Sequence, residues 1–82
     1  MLFLITQTHS PENCPIEAGG REALHEDPKK VKGLKIVTGF AAYTDHVLYY
    51  LVEADDYDAI EKFLTPGFKR SDATITPVSK FL

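Results

Sequence analysis

Val47-Leu48-Tyr49-Tyr50-Leu51-Val52-Glu53-Ala54-Asp55-Asp56 opens with six consecutive apolar or aromatic residues and closes on two acids. An uninterrupted run of this composition describes a strand that carries apolar side chains on both faces. Asp55, Asp56 and Asp58 then place acceptors and negative charge where a helix leaves its first N–H groups unpaired. Ala59, Ile60, Phe63 and Leu64 follow at helical spacing until Pro66-Gly67 stops them. A strand thus feeds directly into a capped helix.

Upstream, Leu34 to Ala42 is a second β-rich run, and Tyr43-Thr44-Asp45 joins it to His46–Ala54 as a hairpin. The corner is not of the Asn-Gly type, so a loop of three to five residues is expected. Met1 to Thr8 reads as the first strand. Asp72 to Val78 reads as the last, confined by Pro77 to a sheet edge or to its own end. Between the first two strands, Ser10 to Pro15 breaks regular pairing, and Ile16, Gly20, Ala23, Leu24 and Val31 fall on one side of a helix. Gly19-Gly20 and Asp27-Pro28 interrupt that helix, which predicts two helical pieces or one kinked helix. The order strand, helix, strand, strand, helix, strand is that of the ferredoxin-like βαββαβ arrangement. Its right-handed crossovers predict an α+β domain: an antiparallel four-stranded sheet of order 4-1-3-2 with both helices on one face.

The chain has 82 residues, room for one domain spanning 1–82. Its 44% hydrophobic and 26% charged residues are an ordinary globular balance, and a net charge of -3 offers no basic footprint for nucleic acid or an anionic membrane. The apolar runs are far short of the ~20 residues that span a bilayer. Met1-Leu2-Phe3-Leu4-Ile5 lacks the basic lead-in of a signal peptide. A single cysteine, Cys14, makes no intrachain disulfide, so a reducing compartment, the cytoplasm, is expected.

Leu2-Phe3-Leu4-Ile5 and Val47–Val52 leave apolar side chains on the sheet face that the helices do not cover. A second copy packed sheet to sheet is the simplest cover, which predicts a homodimer. Alternatives are a tail, Ser79-Lys80-Phe81-Leu82, folded back over the face, or tyrosines that keep only their hydroxyls in water.

The element order, the strand Leu48–Ala54 running into Asp55-Asp56, and the closing strand Thr74-Ile75-Thr76-Pro77-Val78 together resemble the dimeric α/β-barrel superfamily, closest to its small uncharacterised domain families. The glycines and Pro28 between Ile16 and Gly33 depart from that pattern. The resemblance implies a sheet-to-sheet dimer and, if the protein is an enzyme, chemistry like that of cofactor-free monooxygenases or muconolactone isomerase-like proteins; haem-dependent barrels belong to the same group. Fold alone does not choose among these.

In this topology the first strand ends where the hairpin turns, so His9, Cys14, Tyr43, Asp45 and His46 should gather at one end of the sheet. If His9 sits opposite His46, Gln7, Leu48, Ile5 and Tyr50 share one face. His9, Cys14 and His46 offer imidazole and thiolate ligands suited to a transition metal such as Zn, Cu or Fe, with Asp45 or Tyr43 able to complete or orient the set. The plainer reading makes His9 a loop hydrogen-bonder, Cys14 a small buried hydrophobe and His46 an exposed turn residue. The same edge can be the mouth of a pocket between sheet and helices lined by Phe40, Leu48, Tyr50 and Phe63. There His9 or His46 would be a general base, with Tyr43 or Tyr50 holding a substrate oxygen. The acids Asp55, Asp56 and Asp58 suit helix capping better than Ca²⁺, and Glu53 suits pairing with Lys35. The sequence therefore predicts a protein that binds a small apolar or aromatic molecule; a metal-binding protein and a non-catalytic homodimeric regulatory or interaction module are the alternatives.

Overall fold

The computed structural model describes residues 1–82. Strands β1 (Leu2–Thr8), β2 (Leu34–Ala42), β3 (Val47–Ala54) and β4 (Asp72–Val78) form one antiparallel sheet of order β2-β3-β1-β4, which is 4-1-3-2 read from the other edge. The helix α1 (Tyr57–Leu64) follows β3 after a two-residue break. Asp56 caps it, its Oδ1 accepting from the Ala59 N–H at 3.0 Å, and a 3₁₀ turn over Thr65–Gly67 ends it.

The expected helix between Ile16 and Gly33 does not form. Short 3₁₀ turns at Pro11–Asn13, Pro15–Glu17, Gly20–Ala23 and Pro28–Lys30 occupy the first crossover instead. Three of these four turns carry a proline at their start, and Gly19 (φ 106°) and Gly20 (φ 66°) take left-handed backbone that redirects the chain. A helix there would have kept Ile16 inward, yet Ile16 is 82% exposed. Leu24 and Val31, from the same set, are buried by the turns themselves. The arrangement is therefore α+β with a single helix, and turns do the covering that a first helix would have done.

Register decides what each face carries. Phe3, Ile5 and Gln7 of β1 and Leu48, Tyr50, Val52 and Ala54 of β3 point to the covered face, where Ala59, Ile60, Phe63 and Leu64 of α1 meet them. Burying a residue of this size contributes about 1.5–3 kcal/mol, so this cluster is the main stabilising term. The other face carries Leu4, Thr6, Val47, Tyr49, Leu51, Thr38 and Phe40, with charge only at its two ends, Lys35 and Glu53 at one and Asp72 at the other. Leu4 and Tyr49 remain about 40% exposed there, and no part of the chain lies over them. Phe81 and Leu82 stand at least 90% exposed, so the tail does not fold back as a cover. Glu53 lies opposite Lys35 in register, but its carboxylate meets the Met1 amino group.

One buried polar group ties the layers together. Gln7, 1% exposed, donates from Nε2 to the Leu24 carbonyl (2.9 Å) and Ser71 Oγ (3.1 Å), and its Oε1 accepts from the Tyr50 hydroxyl (2.6 Å). The amide is fully answered, which is what lets a glutamine sit in an apolar core. Gly67 makes room for it: a Cβ there would stand 2.8 Å from Gln7 Nε2 and closer still to the Leu24 carbonyl oxygen.

Candidate functional site

β1 and β3 stay in register to their ends, Thr8 opposite Val47, and one further ladder bond runs from the His9 N–H to the His46 carbonyl at 3.2 Å. His9 and His46 are thus opposite each other, the register on which the shared face of Gln7, Leu48, Ile5 and Tyr50 is conditional. The hairpin turn Tyr43–Asp45 ends on His46 at φ 56° and ψ 45°, the only non-glycine residue with positive φ. This left-handed backbone costs about 1–2 kcal/mol for an ordinary side chain, and here it aims the ring at β1. His46 Nδ1 and His9 Nε2 approach to 3.2 Å, with the rings edge to face at 5.1 Å between centroids.

Cys14 joins them from between the turns Pro11–Asn13 and Pro15–Glu17. Its N–H is held by the Pro11 carbonyl at 3.2 Å, and its thiol is free and half-buried. One ligating atom from each of His9, Cys14 and His46 lies within 4.8 Å of the others. Asp45 is not among these converging donors. His9 Nδ1 is buried without a hydrogen-bond partner. Burial first, then the neighbouring charge of His46 and that of Arg70, hold His9 below the ordinary histidine value, so its neutral form is favoured.

Two recesses with mostly apolar walls open near this cluster. The smaller, about 150 Å³, contains the three residues together with Pro15, Ile16 and Leu24. The larger, about 430 Å³, lies between β2–β3 and the turn segment, and Leu48, Tyr50, Phe63 and Phe40 all border it. Phe40 differs from the other three: it pairs with Tyr49 on the outer face and is 68% exposed. Arg21, Tyr43 and Leu48 border both recesses.

The imidazole in the larger cavity is His25, a residue the sequence reading did not single out. It stacks on Phe63 (4.9 Å between centroids, 25° between planes) and meets Tyr50 edge-on at 5.5 Å, while its Nδ1 lies 2.9 Å from the Glu26 carbonyl. A helical projection of this segment keeps position 25 off the apolar side, so only the turn conformation reveals it. Arg21 was hidden for the same reason. His9 and His46 border the smaller recess, not this one.

The Tyr50 hydroxyl is committed to Gln7, and burial pushes its ionisation far above the ordinary value of 10, against the opposing charge of Arg21. The phenol stays neutral and donates. Because the folded state holds the proton that the unfolded chain releases near pH 10, Tyr50 stabilises fully below that pH and its contribution is lost as pH rises through and beyond it. Tyr50→Phe is expected to cost about 1–3 kcal/mol at neutral pH, because Gln7 Oε1 is left buried and unanswered. The same variant should flatten the alkaline loss of stability that denaturant titrations read from pH 10 upward; an equally steep loss there would remove Tyr50 as its source.

A search of the curated proteins and a search of the solved structures each return no match. One family model does match: a domain of unknown function, DUF3303, aligns over residues 1–81. The aligned stretch includes the sheet, α1, both recesses and all three members of the His9/Cys14/His46 cluster. The chain belongs to the DUF3303 family of domains of unknown function.

Proposed function

We propose that this domain binds a small aromatic or apolar molecule, neutral or anionic, in the cavity between the sheet and the turn segment, and that it does so as a homodimer. The cavity carries the reading: about 430 Å³ in size, within the roughly 300–1,000 Å³ of small-molecule sites, walled by Leu48, Tyr50 and Phe63 and bordered by Arg21 and His25 without a single carboxylate. Aromatic walls favour a flat apolar body, and the two basic groups favour an acceptor or an acid at its edge. The reading agrees with the resemblance to cofactor-free enzymes, and it makes His25, not His9 or His46, the imidazole in reach of the ligand.

The dimer reading rests on the uncovered sheet face. Strands of seven to nine residues in a four-stranded layer present a face of roughly 19 by 23 Å before side chains stand up from it. That plane area is about half of the ~800 Å² per partner in a standard interface, and the relief of the side chains adds to it. Its apolar centre with charge only at the ends matches the charge-depleted middle of an interface.

Benzoate, phenol and benzylammonium titrated into ¹⁵N- and methyl-labelled protein test the ligand. Benzoate and phenol should shift the resonances of Leu48, His25 and the Tyr50 neighbourhood, with benzylammonium weakest. Arg21→Ala should weaken benzoate about tenfold, the worth of one charge-assisted hydrogen bond, and leave phenol unchanged. Silence from all three probes would favour a non-catalytic interaction module instead.

A further inference from the structure

The cluster at the end of the sheet is separate from the cavity just assigned, and its chemistry is different. We propose that His9, Cys14 and His46 form a three-ligand site for one borderline-to-soft first-row ion of the Zn²⁺ type, with its fourth position open to the small recess beside Pro15, Ile16 and Leu24.

The first support is convergence. The three residues come from the end of β1, a junction between two proline-started turns, and the hairpin corner, yet their ligating atoms lie within 4.8 Å of one another. Zn–N bonds of about 2.0–2.1 Å and a Zn–S bond of about 2.3 Å at tetrahedral angles set donor separations near 3.3–3.6 Å. The His9 Nε2 to His46 Nδ1 distance of 3.2 Å is already that of a tetrahedral edge. Closing the widest separation takes about 1 Å of side-chain movement, which the exposed hairpin corner permits more easily than the core.

The second support is polar accounting. His9 has one ring nitrogen against another imidazole and the other, Nδ1, buried with nothing to bond. Ligation through Nε2 leaves Nδ1 as the protonated nitrogen, and it ends the competition of the two facing ring nitrogens, His9 Nε2 and His46 Nδ1, for a single proton. The third support is backbone. His46 is held in left-handed conformation and tied to His9 by a ladder bond, and Cys14 is fixed between turns that begin with Pro11 and Pro15. Backbone geometry therefore brings the donors to one place and leaves the remaining adjustment to side-chain torsions.

Donor chemistry selects the ion. Two neutral imidazoles and one thiolate suit Zn²⁺ or copper, and the lack of any carboxylate excludes Mg²⁺ and Ca²⁺. Three protein ligands with an adjoining recess of about 150 Å³ leave the fourth position for water or a small exogenous ligand.

Titration of the untagged, reduced 82-residue chain with Co²⁺ tests the site directly. One equivalent per chain should give the intense visible bands of tetrahedral cobalt together with a near-ultraviolet thiolate-to-metal band, and Zn²⁺ should displace both. Cys14→Ser should keep the visible bands and lose the thiolate band. His46→Asn, which tolerates the left-handed backbone, should weaken Zn²⁺ by more than the roughly 10–100-fold lost with an outer-shell partner, with circular dichroism unchanged. His9→Gln serves as a second variant should the corner not tolerate asparagine. Weak octahedral spectra, a thiolate band that survives Cys14→Ser, half an equivalent bridging two chains, or undiminished affinity in the folded histidine variants would each overturn the proposal.

Discussion

Phe63→Ala is expected to remove about 3–5 kcal/mol of stability, the range for deleting a buried aromatic ring. Phe63 is 1% exposed, packs edge to face on Tyr50 at 5.4 Å and stacks on His25. Truncation therefore removes the transfer energy of the ring, two aromatic contacts and the wall that separates core from cavity. A whole domain of this kind is stable by only about 5–15 kcal/mol. The variant should melt far below the parent or fail to fold at physiological temperature. Phe63→Leu keeps most of the volume and should lose less than half as much. Chemical denaturation with the slope held common to all variants measures both; a loss under about 1 kcal/mol for alanine would mean the site collapses around the gap.

Leu51→Glu carries the second large effect. Leu51 sits opposite Leu4 and Thr38 at the middle of the uncovered face, and the buried cluster does not include it. In a single subunit the new carboxylate stays in water and far-ultraviolet circular dichroism should be unchanged. Across a two-fold interface it would be buried near its own symmetry mate, a penalty of about 3–5 kcal/mol, or about 10²–10³-fold or more in dimer dissociation. Light scattering at micromolar concentration should give twice the chain mass for the parent and the single-chain mass for the variant. A parent that already scatters as one chain would end the homodimer reading, and leave the cavity reading to be judged by its own titration.

The sheet was legible because its signals are local and strong. Leu34–Ala42 and Asp72–Val78 come out with their expected bounds, and Pro77 falls on an edge strand because an interior strand needs the N–H that proline lacks. The first crossover was not legible. Its apolar spacing matches a helix, but Gly19 and Gly20 at positive φ and prolines at the head of successive turns override a periodicity carried by five residues. That misreading hid Arg21 and His25, whose positions in the cavity depend on turns and not on any repeat. The meeting of His9 with His46 was legible only on an assumed register, since a one-residue slip of either strand would have parted them. The approach of Cys14 could be read only as a shared end of the sheet, since loop geometry sets its distance.

Both margins of the sheet are blunted. β2 carries an irregularity between Ile36 and Thr38, and β4 presents Pro77 opposite Phe3. An irregular margin and a proline both obstruct the docking of further strands. Chains of this design are thereby discouraged from zipping side by side into fibres, even with Leu4 and Tyr49 left bare on the open face.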